Sequence, residues 1–371
     1  MNPKKLFIVE QYLSWNGHYK RYLDCLVSDK YHYIYSSLKP LDYPNAIFLP
    51  ATEENNKGNF IDFVKGRFIN SYKAYKKLVE QNADAAHILE FEPFSFLYLL
   101  LFKRKQIPAL IITVHSIERM RYANRVKDLV STLQRKVYAY TLNQAAEMGA
   151  MFVTHYEHHK DQLLSQIGNK YSTSVFMIPY PCPKLKTGRI IKRDSSGKKL
   201  LIYGQIREDK GIYEFLSTPG TEKLSITIAG PVVDERIFKF KNHNITFLNK
   251  YFNEDEPELM ELVNSHSFML LPYLKSYTGG SGTFKDSIAF GLPIIASAIP
   301  TFKEVINQGQ VGFIFDKVTD IVRFCETTDD EQYASIASNC FKYAQQYNWD
   351  YMRQQYFTLY EQRLMMLKKN T

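Results

Sequence analysis

Cysteine and long apolar runs are both scarce in this sequence of 371 residues. The four cysteines lie far apart and form neither a CxxC pair nor a Cys/His cluster. This spacing argues against a disulfide framework or a zinc site and indicates a reducing compartment. The N-terminus offers four consecutive apolar residues, whereas a signal peptide needs about 7–15. The most lipid-like stretch, Phe94–Phe102, is far shorter than the roughly 20 residues of a spanning helix, so we expect a cytoplasmic protein.

Two common nucleotide-binding motifs are also missing. Neither GxGxxG after the first strand nor GxxxxGK[ST] occurs, which disfavours an NAD-dependent enzyme and a P-loop NTPase. Short apolar runs instead alternate with longer amphipathic ones, a pattern typical of βαβ units and a parallel sheet. We therefore predict an α/β protein with two Rossmann-like domains facing across a cleft. The expected parts are a first domain over 1–180, a linker over 181–198, a second domain over 199–345 and a C-terminal helix over 346–371, which is able to pack back on the first domain.

The net charge of +9 is confined to the first half of the chain. Residues 1–186 hold 25 Lys and Arg against 16 Asp and Glu, whereas residues 187–371 hold 22 of each. This asymmetry points to an anionic partner that touches only the first half, such as a lipid surface, a phosphorylated acceptor or nucleic acid. A solvated basic surface without a partner explains it equally well.

The first segment with recognisable chemistry is the loop Gly204–Gly211. A predicted strand ends at Gly204, whose missing side chain allows a ligand to approach the backbone, and a helix is expected to begin near Gly211. Arg207 and Lys210 lie between them. The guanidinium of Arg207 is planar and can donate two parallel hydrogen bonds, whereas the ammonium of Lys210 is a compact positive charge. Together with free N–H groups at a helix start, they are suited to hold a diphosphate. The alternative is that both are ordinary surface cations.

The second segment is a run of small residues over 278–283, between a predicted strand and a helix. Such a loop exposes several backbone amides at a helix N-terminus, which suits an anion or a hydroxyl group. Asp286, one turn into the helix, is a candidate acceptor of hydrogen bonds from ligand hydroxyls. Its alternative role is to complement the helix dipole, and the glycine-rich turn could equally be empty of ligand.

The two segments occur in this order and resemble those of a known family. The chain resembles the GT-B glycosyltransferases of family 4, which are retaining enzymes that use nucleotide sugars. Gly204-Gln-Ile-Arg207-Glu-Asp-Lys210-Gly211 matches the family's G-x-[IL]-R-x-x-K-G loop, which holds the donor diphosphate. The family's E-x7-E motif is altered, because Thr278 replaces the first acid and Asp286 the second. Thr278-Gly-Gly-Ser281-Gly282 nevertheless fits a branch of the family with S/T-x-x-S-G at this position.

The resemblance extends over nearly the whole chain and implies roles for individual residues. His115, at a strand end, is implied to face the donor sugar as a catalytic residue, and Gly17-His18 resembles the acceptor-side loop. The implied donor ligands fall into two sets. The diphosphate would contact Gly204, Arg207, Lys210, Ser281, Gly282 and Thr283. The sugar and ribose would contact Thr278, Gly279, Gly280 and Asp286.

The resemblance also implies the reaction and its partners. No D-x-D motif is present, as expected for GT-B enzymes, which neutralise the leaving diphosphate with protein groups and need no metal or other cofactor. The donor would be UDP- or GDP-linked, and the acceptor a saccharide or a lipid-linked saccharide of bacterial surface-polysaccharide or glycolipid synthesis. Basic residues near 98–105 and 118–136 would hold the protein at the inner face of an anionic membrane.

Other interpretations remain open at this point. Loss of the first acid allows a non-catalytic GT-B relative that acts as a partner subunit, although Arg207 and Lys210 are retained. The basic half allows a nucleic-acid-binding protein, but no RNP-like, KH or zinc-finger pattern supports that class, and we predict no nucleic-acid partner. Glu90-Phe91-Glu92-Pro93 is a weak candidate for supplying a cleft carboxylate. His155, His158 and His159 are interpreted as surface residues without an acid to complete a metal site.

Overall fold

The fold is described from a computed structural model. The described residues are 4–14, 19–51, 60–117, 125–184, 199–240, 244–252 and 257–369, and for 60–63 and 125–127 the backbone only. The chain divides into two compact units. The N-terminal unit comprises Met1–Pro179 and Met352–Thr371, and the C-terminal unit comprises Tyr180–Tyr351. Most of the predicted linker, residues 185–198, lies outside the described residues.

The N-terminal unit contains a parallel sheet of seven strands in the order β3-β2-β1-β4-β5-β6-β7. Its central strands are continuous apolar runs, because helices cover both faces of such a sheet. β1 pairs with β2 on one side and with β4 on the other, so that Val9 lies between Ile34 and Ile88. The strands are β1 Leu6–Glu10, β2 His32–Ser37, β3 Ala46–Pro50, β4 Ala85–Ile88, β5 Ala109–Thr113, β6 Met151–Thr154 and β7 Val175–Met177.

Five helices connect these strands, and most of their buried residues join one hydrophobic core with the sheet. Helix α3 begins with Pro93 at its first turn, after the N-cap Glu92, whose carboxylate accepts hydrogen bonds from the amides of Phe94 and Ser95. The helices are α1 Tyr19–Leu26, α2 Phe60–Glu80, α3 Pro93–Phe102, α4 Arg125–Glu147 and α5 Glu157–Ile167.

The C-terminal unit repeats this architecture with six parallel strands in the order β10-β9-β8-β11-β12-β13. The strands are β8 Lys199–Tyr203, β9 Ser225–Ala229, β10 Ile245–Leu248, β11 Phe268–Leu271, β12 Ile294–Ser297 and β13 Gly312–Phe315. The helices are α6 Ile212–Leu216, α7 Pro257–Asn264, α8 Gly282–Phe290, α9 Pro300–Gly309, α10 Val318–Thr327 and α11 Asp330–Gln346.

A last helix, α12, spans Trp349–Lys369, and from Met352 onward it belongs to the N-terminal unit. Tyr356 hydrogen-bonds to Tyr22 (2.5 Å between oxygens) and to Thr113 (2.9 Å), and Tyr360 contacts Nδ1 of His87 at 2.5 Å. These buried polar contacts fix one face of α12 on the ends of β4 and β5, because an unpaired buried hydroxyl would be costly.

The predicted α/β class with two parallel sheets is therefore confirmed. The C-terminal helix expected over 346–371 corresponds to α12, which a short break after Gln346 separates from α11. Among the described residues, no helix combines the length and the apolar character needed to cross a membrane.

Candidate functional site

The candidate site of the C-terminal unit lies at the carboxyl ends of β8 and β11. The strand order reverses between these two neighbours, since β9 and β10 lie on one side of β8 and β11 to β13 on the other. Open parallel sheets bind ligands at this switch point. The loop Gly204–Gly211 follows β8 directly, and residues 278–283 lie in the connection between β11 and α8, so the fold itself brings the two segments together.

Gly204 lies at the centre of this site. Its φ of +93° favours glycine, and a Cβ built there would lie 2.8 Å from Thr283 Oγ1 and 3.3 Å from Lys210 Nζ. The loop that follows β8 can therefore approach the start of α8 closely because Gly204 has no side chain. The structure brings together three of the predicted diphosphate ligands, which stand up to 79 positions apart in the sequence.

Gly211 brings the same two loops together at a second point. Its φ is +63°, and an added Cβ would lie 2.5 Å from the carbonyl oxygen of Pro272, the residue after β11. A backbone oxygen cannot move aside as the end of a side chain can. This glycine therefore permits the close approach that carries Lys210 into the site.

Lys210 is a buried cation, with 6% of its surface exposed. Burial, and then the neighbouring Arg207 charge, lower its pKa to about 8, although Asp209 and Asp286 act in the opposite direction. The ammonium also lies 5.6 Å from the centre of the Tyr273 ring. Because this ammonium is held away from water, an anion bound beside it would stabilise its charge.

Arg207 is more exposed and is paired with an acid. Its Nε donates to Asp209 Oδ1 at 3.1 Å, and its Nη2 donates to Oδ2 at 2.9 Å, a bidentate arrangement. Burial lowers the pKa of Arg207, but the Asp209 carboxylate raises it by more, so the guanidinium stays charged. The pairing orients the guanidinium beside Lys210, and it leaves the third guanidinium nitrogen out of this pair.

Ser281 forms the N-cap of α8. Its hydroxyl accepts from the amide of Phe284 at 3.2 Å and lies 2.9 Å from the hydroxyl of Tyr273. The side chain thereby fixes the start of the helix, at which the amides of Gly282 and Thr283 have no carbonyl within the helix to bind. These amides fit the anion-binding role predicted for 281–283.

The remaining predicted donor ligands flank this helix start. Thr278 and Gly279 are half-buried and Gly280 is exposed, in a turn closed by the Tyr277 hydroxyl, which donates to the Gly280 carbonyl at 2.8 Å. Asp286 is half-buried in α8, within electrostatic range of Lys210.

His115 of the N-terminal unit follows β5 and is 22% exposed at its side chain. Its Nε2 lies 3.1 Å from the Leu89 carbonyl oxygen and 3.1 Å from Glu90 Oε1. Because a carbonyl only accepts, Nε2 carries the proton. Burial lowers the pKa of His115, but the Glu90 carboxylate and the Leu89 carbonyl raise it by more. Glu90, only weakly indicated by the sequence, is thus the partner of His115.

The sequence interpretation of His155, His158 and His159 as surface residues without a metal site is correct only in part. The prediction that all three histidines of 155–159 are at the surface is wrong: His155 and His159 are 3% and 2% exposed. His155 follows β6 directly, and its Nδ1 lies 2.8 Å from the carbonyl of Ile178, the residue after the neighbouring strand β7. Within the described part of the chain, no group of three His, Cys, Asp or Glu side chains is placed to hold a metal ion. Gly17 and His18 lie outside the described residues.

Comparison with known proteins supports the predicted resemblance. Residues 197–328 match the family model described as Glycosyl transferases group 1, which covers most of the C-terminal unit. No curated protein matched. This family match supports a sugar-transferring role.

Several solved structures share the fold at low sequence identity. Sucrose-phosphate synthase from Thermosynechococcus elongatus is 13% identical with a TM-score of 0.72, covering 97% of this chain and 98% of that one. HepE from Anabaena in complex with UDP is 12% identical with a TM-score of 0.66, covering 97% and 100%. WaaG, described as a glycosyltransferase involved in lipopolysaccharide biosynthesis, is 15% identical with a TM-score of 0.59, covering 94% and 97%. The GT-B fold is therefore confirmed.

Proposed function

We propose that this protein is a retaining, metal-independent glycosyltransferase of family 4 that takes its sugar from a nucleotide diphosphate. The observation that carries the proposal is the convergence of Gly204, Lys210 and Thr283 at the switch point of the second sheet. HepE, whose fold is similar, has been crystallised with UDP-glucose. A UDP-linked sugar is accordingly the first donor to test, with GDP-linked sugars as the alternative.

The charges of the site suit the leaving diphosphate. Negative charge grows on the diphosphate as the bond to the sugar breaks, and Lys210, Arg207 and the amides at the start of α8 would stabilise it. Because Lys210 is already removed from water, it needs little reorganisation when the anion forms. These protein groups would supply the positive charge that a divalent metal supplies elsewhere. Asp286 would accept hydrogen bonds from the ribose, and Thr278 to Gly280 would contact the donor sugar.

Nucleotide binding gives the first test. We expect UDP, or else GDP, to raise the melting temperature without added metal, since a ligand at about 100 times its dissociation constant stabilises by roughly 2.7 kcal/mol. Lys210→Ala and Arg207→Ala should abolish this shift, whereas the exposed lysine variant Lys303→Ala should keep it. If no uridine, guanosine or adenosine diphosphate shifts the wild type, the donor site is not functional. A non-catalytic partner subunit would then be the better assignment.

The acceptor is proposed to be a saccharide on a lipid carrier, reached from an anionic membrane. Helices α3 and α4 are neighbours in the N-terminal unit, and Arg104, in the short turn after α3, donates from Nη1 to Gln144 Oε1 of α4 at 2.8 Å. They present large apolar side chains to solvent beside the basic residues 103–105. The exposed fractions are 65% for Leu101, 68% for Phe102, 71% for Leu129, 55% for Leu133 and 51% for Tyr140.

The exposed apolar residues of α4 are spaced so that they lie on one side of the helix. Leu129, Leu133, Lys136 and Tyr140 recur at helical intervals and form one exposed stripe of α4. A surface that combines apolar and basic residues is typical of proteins that lie in the headgroup region of an anionic bilayer. We name Leu101, Phe102, Leu129, Leu133 and Tyr140, with basic residues 103–105 and Lys136, the α3–α4 surface.

Vesicle flotation tests the membrane contact. We expect binding to vesicles with 30% phosphatidylglycerol and weak binding to pure phosphatidylcholine, with each lost cation costing about 1 kcal/mol. The double variant Leu101→Ser/Phe102→Ser should reduce flotation, whereas Val233→Ser, which replaces an apolar residue that is 60% exposed in the other unit, should not. Equal binding to both vesicle types would contradict the electrostatic part of the proposal.

A further inference from the structure

Tyr273 contacts both segments of the candidate donor site, and no role was predicted for it from the sequence. It is the second residue after β11, and it is 3% exposed. The ammonium of Lys210 lies over its ring, 5.6 Å from the ring centre. Its hydroxyl lies 2.9 Å from the hydroxyl oxygen of Ser281, the N-cap of α8. One buried side chain thus joins the loop after β8 to the start of α8.

The backbone on both sides of Tyr273 is held against the loop that carries Lys210. A Cβ on Gly211 would lie 2.5 Å from the carbonyl oxygen of Pro272, so the two chains touch there. On the other side, the amide of Leu274 donates to the carbonyl of Asp209 at 3.4 Å. The position of the Tyr273 ring relative to Lys210 is therefore determined by the fold of the two loops.

Neighbouring side chains hold the Tyr273 ring itself in place. Tyr277 and Phe302 pack edge to face against it, with ring centres 4.8 Å and 5.2 Å away. The hydroxyl of Ser297, at the end of β12, donates to the Tyr273 carbonyl at 2.7 Å. Because aromatic contacts of this kind add to the stabilisation from burial, the side chain is in place before a ligand binds.

The two ends of the tyrosine side chain suit different tasks. The face of an aromatic ring attracts a cation, and it does so without neutralising the charge as a carboxylate would. The ring can thus replace part of the hydration that Lys210 loses by burial, while the positive charge stays available to a diphosphate. Burial raises the pKa of Tyr273 to about 12, although its hydrogen bond with Ser281 and the Arg207 charge lower it. The phenol therefore keeps its proton at neutral pH and can hydrogen-bond to Ser281.

We propose that Tyr273 is a positioning residue of the donor site, whose ring holds the ammonium of Lys210 and whose hydroxyl holds Ser281. The cation and the amides at the start of α8 are thereby aimed at the same diphosphate. The proposal rests on the glycosyltransferase function proposed above. Because Tyr273 is buried, it acts through these two residues and does not itself contact the nucleotide.

Calorimetric titration with UDP, or with GDP if the wild type prefers it, separates the two parts of the side chain. Tyr273→Phe keeps the ring and removes the hydroxyl, so we expect the affinity to fall about fivefold, the effect of one neutral hydrogen bond. Tyr273→Leu removes the ring as well and should weaken binding about thirtyfold. Tyr273→Phe, which loses a single oxygen atom, keeps the test decisive if Tyr273→Leu does not fold.

Tyr333 provides the matched control at the opposite end of β11. It is also buried, and its hydroxyl donates at 2.8 Å to the carbonyl of Ser267, the residue before β11 begins. Tyr333→Phe and Tyr333→Leu should lower the melting temperature, yet keep the nucleotide affinity within about twofold of the wild type, since distant sites act independently. Equal loss of affinity in the Tyr333 and Tyr273 variants, or unchanged affinity in Tyr273→Phe and Tyr273→Leu, would overturn the assignment.

A double-mutant cycle without ligand tests the contact between the ring and Lys210 separately. We expect Tyr273→Leu to lower the melting temperature by less in the Lys210→Met background than in the wild type, because no ammonium is left for the ring to hold. Equal losses in the two backgrounds would overturn the positioning of Lys210. Coupling between the two residues in a wild type that binds neither UDP nor GDP would instead contradict the proposed function.

Discussion

Replacing Lys210 by methionine should make the ligand-free protein more stable while it destroys donor binding. The fall in the pKa of Lys210 from its ordinary value of 10.5 to about 8 means that the folded protein disfavours the charged form. At about 1.4 kcal/mol per pH unit, this preference amounts to about 3 kcal/mol. Methionine is similar in length and carries no charge, so it recovers part of this free energy at pH 7.

The lowered pKa of Lys210 also predicts how the stability gained in Lys210→Met changes with pH. The pKa of Lys210 is lower in the folded than in the unfolded chain, so between about pH 8 and 10.5 the unfolded state binds more protons and stability rises with pH. Below pH 8 the full cost of the buried charge is present. The advantage of Lys210→Met should therefore be largest at pH 7 and should shrink at pH 9.5.

Urea unfolding at both pH values measures this effect directly. We expect Lys210→Met to raise the free energy of unfolding at pH 7 by roughly 1–3 kcal/mol, while Lys303→Met, at an exposed position of α9, changes it little. Saturating UDP should then stabilise the wild type and leave Lys210→Met unaffected. A variant that is less stable than the wild type at pH 7 would refute the reasoning, because it would show that Lys210 stabilises the ligand-free fold.

Three further substitutions test other contacts of the two units. Gly204→Ala should abolish the UDP-induced thermal shift and lower stability, since its Cβ would lie 2.8 Å from Thr283 Oγ1 at a φ of +93°; an unchanged shift would contradict the placement of the two loops. Ser281→Ala should cost about 1 kcal/mol in urea unfolding through loss of the α8 cap, and Ser281→Asp should restore most of it. Tyr360→Phe should destabilise by about 1–2 kcal/mol by leaving His87 Nδ1 without its hydroxyl partner, and should leave UDP binding intact, which calorimetry can check.

Local patterns in the sequence were sufficient to predict the architecture of each unit. Short apolar runs such as Phe268–Leu271 favour strands that are covered on both faces, and the longer amphipathic stretches between them have the length of crossover helices. The motif around Gly204 and Lys210 also predicted its own position after a strand, because the glycine and the cations stand close together in the chain. The roles of Arg207 and Asp286 toward a nucleotide remain predictions.

Contacts between distant residues were decided by the tertiary structure alone. Glu90 and His115 are 25 positions apart, and only the pairing of β4 with β5 places the carboxylate 3.1 Å from the imidazole. His155 was interpreted as a surface residue because it stands close to a helix start, but it is buried where β6 and β7 end side by side, next to the Ile178 carbonyl. Burial of Lys210 likewise depends on α8 and β11 packing over its loop. Composition and periodicity report which residues prefer an interior, whereas the sheet order determines which of them meet and how their charges respond.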